Sequence, residues 1–333
     1  MSELRMAFFG TNGHQPTGAV GSLDGVVVVG VAEMPESTLA GLKEKVPNAY
    51  GQATRYESLA ELLDKAKPDL ISIASPRRDE QYAHTVAALE AGAHVYAEKP
   101  LATTIEGLDA IADAAYSTGR QVRSMTGMIH APVFREIKRL VDTGSLGQVV
   151  QVFAQKSYPY HDGRPQDNGV DGGLIRQTST HAISFVRYVT GLEFEEVFAH
   201  STGLGNPHDG ELQMAAQVSA RLTGGALCTL VLNYCNPKGI GFWGNDQLRV
   251  HGTGGMAETM DGGTRSLLAI GEGKAAALAI PEMVGGYDEL LREYVRHLRD
   301  GSAMLLSQRD SLAISRVAIR AQESADRGQP VRV

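Results

Sequence analysis

Short apolar runs alternate with helix-spaced stretches from the start of the chain to about residue 120, and few architectures accept that rhythm. Leu4 to Phe9 is apolar and followed by glycine, Val26 to Ala32 is rich in valine, and Leu70 to Ala74 and His94 to Ala97 are a third and fourth run. Runs this short, bounded by turn residues, read as buried parallel strands. Between them Leu59, Leu62, Leu63 and Ala66 recur at helical spacing and stop at Pro68. Ala83, Val86, Ala87 and Leu89 do the same before Gly92, and Ile105, Leu108, Ile111, Ala112 and Ala115 before Gly119. An apolar stripe of that period packs a helix onto a sheet. Strand and helix in this repetition predict βαβ units and a doubly wound sheet.

The rhythm changes after about residue 124. One helix carries Phe134, Ile137, Leu140 and Val141 and ends at Gly144. Strand-like stretches follow at 149–156, 196–202, 214–222, 226–234 and 247–252, with a helix over 174–189 among them and two more, 290–298 and 312–325, at the end. Consecutive strands after a βαβ half predict a second, α+β domain on an open, mainly antiparallel sheet. The expected organisation is therefore α/β, with a dinucleotide-binding domain over 1–123 and a substrate-binding and oligomerisation domain over 124–333. A length of 333 residues accommodates two domains.

Charge narrows the partners. With 31 basic against 38 acidic residues the formal net charge is −7, and no basic run occurs, which argues against a general nucleic-acid binder. No apolar stretch approaches the ~18–20 residues of a membrane helix. The opening Met1-Ser2-Glu3-Leu4-Arg5 lacks a signal-peptide layout. Only Cys228 and Cys235 are present, so neither a disulfide framework nor a cysteine zinc site is expected. A cytoplasmic protein is the expectation.

The first strand runs into Gly10-Thr11-Asn12-Gly13-His14-Gln15. A dinucleotide loop wants glycine at the first, third and sixth positions, for a tight turn, close approach to pyrophosphate and close helix packing. Here those positions hold Gly10, Asn12 and Gln15. Gly13 restores part of the backbone access, and the N–H groups opening the following helix are expected to hold a diphosphate. A plain glycine-bearing turn is the other reading of this loop. Glu33 ends the second strand 23 residues after Gly10, near the spacing of a ribose-binding acid. A carboxylate there accepts from both ribose hydroxyls and repels a 2′-phosphate, which favours NAD over NADP; a solvated strand-end glutamate is the alternative.

Three stretches point to one family. Residues 88–102, Ala-Leu-Glu-Ala-Gly-Ala-His-Val-Tyr-Ala-Glu-Lys-Pro-Leu-Ala, resemble the ALEAGKHVxxEKPLA pattern of the glucose–fructose oxidoreductase / inositol dehydrogenase / rhizopine-catabolism (Gfo/Idh/MocA) family. Gly172-Gly173-Leu174 and the stretch on to His181 resemble the family's GGGxLxDxGxHxxD helix, and residues 323–331 its ESAxxGRPV ending. The resemblance covers essentially the whole chain in order. It implies a Rossmann NAD domain, an oxidoreductase acting on a sugar, polyol or related hydroxylated small molecule, and a homodimer or homotetramer formed through the exposed face of the second sheet. It places His14, Ser75, Pro76, Glu98 and Lys99 with Gly10, Asn12, Gly13 and Glu33 around the cofactor, and implies a cis Lys99–Pro100 bond.

An alcohol dehydrogenase must remove a hydroxyl proton as hydride leaves the carbon. Lys99 suits that work: a lysine ending a buried strand, at the edge where open α/β sheets bind ligands, has its pKa lowered by desolvation. A surface lysine in a turn is the bland alternative. His181 matches the family's substrate-side histidine and is expected to extend the proton relay or bind a sugar hydroxyl, unless it is a buried structural histidine.

Departures from the pattern put ordinary inositol-type dehydrogenation in doubt. Gln177 stands four residues before His181 where the family usually has Asp, Ser184 replaces another frequent Asp, and Arg77-Arg78-Asp79-Glu80-Gln81 replaces an Asn-x-x-His element. An amide hydrogen-bonds a sugar but exchanges no proton. The loop ahead of the histidine helix offers Tyr158, Tyr160, His161 and Arg164, and the helix offers Arg176 and Gln177, as substrate contacts; rings stack on sugar faces and Arg binds hydroxyls or a carboxylate. A solvated loop of mixed charge explains these residues as well. His161 and His181 fit no metal-ligand spacing, so no metal is expected. Trp243, between glycines, reads as a substrate lid or an oligomer contact. Two other functions share the framework: a lyase, glycosidase or epimerase that uses NAD with no net redox, and a non-catalytic dinucleotide or sugar sensor.

Overall fold

A computed structural model describes residues 3–280 and 287–333, so that Met1 and Ser2 of the opening lie outside the described residues. Two compact units divide the chain. One runs as far as Met125 and takes in Gly169–Asp171 and Asp288–Leu312; the other comprises Thr126–Asn168, the stretch from Gly172 to Tyr287, and Ala313–Val333. The return of Asp288–Leu312 to the first unit differs from a single division at residue 123.

The first unit contains β1 (Leu4–Phe9), β2 (Val26–Ala32), α1 (Glu36–Lys45), α2 (Pro47–Tyr50), β3 (Thr54–Tyr56), α3 (Leu59–Ala66), β4 (Leu70–Ile73), α4 (Gln81–Glu90), β5 (His94–Ala97), α5 (Ile105–Thr118) and β6 (Val122–Ser124). The strands pair in parallel in the order β3-β2-β1-β4-β5-β6, the doubly wound arrangement. Every residue of β4 is buried, as a strand covered on both faces requires. Local signals place the helices: Ser58 caps α3 by accepting from the Glu61 amide, Thr104 caps α5 through the Gly107 amide, and Gly119 ends α5 in the left-handed conformation. The strand order reverses between β1 and β4, and ligands bind at the carboxyl ends flanking such a switch point.

The second unit holds α6 (Pro132–Asp142), β7 (Val149–Ser157), α7 (Asn168–Asp171, largely of the first unit), α8 (Leu174–Thr190), β8 (Phe194–Thr202), β9 (Ala215–Leu222), β10 (Leu227–Asn233), β11 (Gln247–Gly252), β12 (Gly255–Met260) and β13 (Arg265–Ile270). The chain closes with α9 (Tyr287–Asp300), α10 (Gln308–Arg327) and β14 (Val331–Arg332). Eight strands form one sheet in the order β13-β12-β11-β7-β10-β9-β8-β14, antiparallel except for β7 beside β10. Burial alternates along β9, with Ala216, Val218, Ala220 and Leu222 inward, so one face of the sheet is core. Helix α8 packs on β7 and β10 with α6 beside it, and is buried from Thr178 to Val189. Among the described residues no helix is long and apolar enough to cross a membrane.

Candidate active site

In the first unit the predicted cofactor residues converge at the carboxyl ends of β1, β2, β4 and β5. Gly10 has φ +74°, and a Cβ there would stand 2.0 Å from the Ala74 carbonyl oxygen, so only glycine lets the loop cross the end of β4. Gly13, at φ +129°, faces Glu98 and Arg78, whose atoms a Cβ would meet within 3 Å. Thr11, Asn12, Glu33, Met34, Pro35, Arg55 and Pro76 line a cavity of about 390 Å³. It lies where the two ends of the switch point leave room, and Glu33 brings a carboxylate to it. The lining fits the ribose end of a dinucleotide.

The diphosphate expectation needs correction. No α-helix directly follows the loop; the next helical element is the single 3-10 turn Ala19–Ser22, so the loop does not itself open an α-helix. Three loop amides are also engaged: Asn12 donates to the Ala74 carbonyl, Gly13 to that of Thr11, and His14 to Glu98 Oε2 at 2.8 Å. Gln15, at the position where the dinucleotide pattern wants its third glycine, fills the space itself. Its amide donates to the carbonyls of Phe9 and Gly10, and Ser72 Oγ donates to its carbonyl.

Lys99 lies two residues past the end of β5 and is almost wholly buried, with its Nζ 3.2 Å from Glu98 Oε1. The same oxygen lies 3.4 Å from His14 Nδ1, and the His14 side chain is 58 % exposed. Burial on its own would raise the Glu98 carboxyl; the Lys99 ammonium, the hydrogen bond and charge of His14, and the Arg78 guanidinium outweigh it and hold the group below the usual carboxylate range. The Lys99–Pro100 peptide is cis.

Arg78 and Gln81 are the residues that sequence reasoning missed here. The Arg78 guanidinium, 1 % exposed, donates to the carbonyls of Asn12, Ser75 and Lys99 and to Gln81 Oε1, tying the loops after β1, β4 and β5 together. Gln81 Nε2 adds the Glu98 and Pro100 carbonyls. Burial pushes the Arg78 guanidinium down from its ordinary value, and Glu98 and Asp171 offset part of that. The signal was present as a departure: two arginines and a glutamine where an Asn-x-x-His element was sought. Ser75 Oγ lies 2.9 Å from His84 Nδ1.

In the second unit the loop after β7 and the start of α8 bring most of the predicted substrate residues into one cluster. The Arg164 guanidinium lies 3.5 Å from the centroid of the Tyr234 ring, and Tyr234 OH donates to Gln177 Oε1 at 3.1 Å. Tyr158 packs near Tyr234 and Trp243, and His161 near Trp243. Trp243, 55 % exposed, thus belongs to this cluster. Burial lowers the His161 imidazole, and Arg164 lowers it further. Tyr234, Lys156 and Asp246 were not anticipated; the last two form a buried pair at 2.6 Å, with Lys156 over the Tyr158 ring. Tyr160 lies beside Asp162. Arg176 departs from expectation: its charge partners are Asp326 and Glu323. His181 is buried on α8, and Ser184 Oγ donates to its carbonyl.

Comparison with known proteins adds the chemistry. Residues 9–126 match the oxidoreductase family with NAD-binding Rossmann fold, and residues 134–258 match the GFO/IDH/MocA C-terminal domain. An uncharacterized oxidoreductase, ORF334 of Rhizobium meliloti, is 26% identical over 92% of this chain and 91% of its own length. D-glucoside 3-dehydrogenase of Escherichia coli is 30% identical over 52% of this chain, a segment that is half of that relative's length. A Thermotoga maritima structure, named an oxidoreductase by inference, superposes with a TM-score of 0.89 at 27% identity, covering 99% of this chain and 100% of that one.

Proposed function

The chain belongs to the Gfo/Idh/MocA family of oxidoreductases and its first domain is an NAD-binding Rossmann domain, and from that premise we propose that it moves a hydride between nicotinamide and a sugar, polyol or related hydroxylated small molecule, with Lys99 as the acid/base. One observation carries the reading: a buried primary amine at the carboxyl end of β5, paired with a buried carboxylate that also meets an exposed imidazole. The D-glucoside 3-dehydrogenase similarity supports the substrate class.

NAD, when bound, supplies the hydride acceptor or donor. Glu33 is the residue to hold its ribose hydroxyls, Asn12, Gly13 and Pro76 line the approach, and Glu33 favours NAD over NADP by repelling a 2′-phosphate. In the direction of oxidation Lys99, as the neutral amine, takes the proton of the substrate hydroxyl. Glu98 stays ionised and, with Oε1 3.2 Å from Nζ, holds the Lys99 ammonium that results. Gln177 and His181 are the groups on α8 to bind substrate hydroxyls, and Gln177 in place of a carboxylate leaves the proton work to Lys99. The half-exposed residues on the outer face of the second sheet, Phe153 and Val231 among them, support a homo-oligomer.

A panel of sugars, polyols and keto-sugars with NAD and with NADP, read by NADH absorbance and substrate consumption together, tests the reading. Stoichiometric NADH formation is the expected result, unaffected in kind by Gln177→Ala. Substrate consumption with no NADH would replace this reading by the non-redox one.

A further inference from the structure

Arg164 is a buried cation without a carboxylate. The residue is 9 % exposed, and among the described residues no Asp or Glu oxygen lies within ion-pair distance of it. Its Nε is buried with no hydrogen-bond partner, and its Nη2 reaches only the Pro159 carbonyl, at 3.5 Å. Other buried cations of the same unit are answered: Lys156 by Asp246 at 2.6 Å, and Arg187 by Glu193 at 2.9 Å. Burying a guanidinium is costly unless it is paired and hydrogen-bonded. The Tyr234 and Tyr158 rings, 3.5 and 5.7 Å from it, supply π faces that offset part of that cost and also fix its place. They leave its N–H donors without good acceptors. A guanidinium in that state is a fork shaped for a planar, doubly accepting anion.

Resting on the substrate site proposed above, we propose that the hydroxylated substrate is a sugar acid whose carboxylate is held by Arg164. The residue's neighbours suit the rest of such a molecule: Gln177, reached through Tyr234 OH, is an amide for hydroxyls, and Tyr158 and Trp243 are rings for a carbon skeleton. A phosphate fits less well, since a doubly charged group calls for more than one cation and Lys156 is already neutralised by Asp246.

Isothermal calorimetry on the full chain without cofactor tests this. The probes are D-gluconate, D-galactonate and D-glucuronate, the neutral compounds D-glucitol and D-glucose, and D-glucose 6-phosphate. At least one acid is expected to bind ~10-fold or more tighter than its neutral counterpart, the return on a charge-assisted pair. Arg164→Gln is expected to abolish that preference. Arg164→Lys, which retains the charge and loses the fork, is expected to reduce it, and decides the matter if the Gln variant does not fold. Equal binding of acids and neutral compounds, failure of every acid to bind, tighter binding of the phosphate, or a preference unchanged in Arg164→Lys and Arg164→Gln would overturn the proposal. Because no turnover is read, its failure is separable from failure of the Lys99 mechanism, which leaves these affinities untouched.

Discussion

Glu98 joins an amine and an imidazole through one carboxylate, with Lys99 Nζ at 3.2 Å and His14 Nδ1 at 3.4 Å from the same oxygen. Glu98→Gln leaves the Lys99 ammonium buried without that partner, and breaking a buried pair from one side costs about 3–5 kcal/mol. The sign of the pH effect follows from the depressed folded value. The stabilisation is complete above the unfolded carboxylate value of about 4.3, declines as pH drops below it, and is gone once pH has fallen through the folded value. Thermal unfolding at pH 7 and pH 3 should therefore show a gap between parent and Glu98→Gln that narrows at the lower pH without closing, because pH 3 lies below the unfolded value but still above the folded one. Glu33 carries a different prediction. Arg55 lines the same cavity, so Glu33→Ser removes the repulsion of a 2′-phosphate and leaves a cation nearby. The ratio of NAD to NADP dissociation constants should move toward NADP, and an unchanged ratio would remove Glu33 from the ribose site. Lys99, Glu98 and Glu33 were legible because each ends an apolar run. Arg78 was not, since nothing in a one-dimensional pattern says that a guanidinium turns inward to collect three carbonyls.

The elements show why the nucleotide loop looked poor in sequence. Its missing third glycine is Gln15, and a glutamine there goes with the absence of a helix: the side chain takes up the Phe9 and Gly10 carbonyls where helix packing would otherwise need space. Arg78, just ahead of α4, and Gln81, at its start, then fasten the neighbouring loops. Arg78→Met should lower the unfolding midpoint, with roughly 1–3 kcal/mol of lost stability from the carbonyls left without a donor, and weaken NAD binding, because the loops after β1, β4 and β5 lose their shared anchor. An unchanged midpoint would show that these loops hold themselves. Helices with apolar stripes, α3, α5 and α6, were readable from spacing. Strands β3 and β6, three residues each, are too short for any period to show, and only pairing with a longer neighbour makes them strands.

At the scale of the molecule, two sheets of different kind were expected from the change of rhythm near residue 124, and both are present. The return of α9 to the first unit was not visible, because it rests on pairs far apart in sequence. Arg123 meets Glu293 in a buried ion pair, and Tyr294 OH donates to the Gln121 carbonyl. The base of the first sheet gives the molecule a built-in pH response. Burial, aided by Arg120, pushes the His94 imidazole down from 6.5 to about 4. The unfolded chain therefore takes up a proton below pH 6.5 that the folded one refuses, and stability falls as pH drops from 6.5 toward 4 and levels off beneath it. Denaturant unfolding across that range should show a shallower decline in His94→Gln than in the parent.

The proposed reaction depends on Lys99, and pre-steady-state hydride transfer in Lys99→Ala, with the NAD dissociation constant measured on the same protein, tests that dependence most directly. The expected result is a transfer rate lower by ~10² or more at unchanged NAD affinity, the contribution of a positioned acid/base. A transfer rate equal to the parent's, in a variant that still binds NAD, would contradict it.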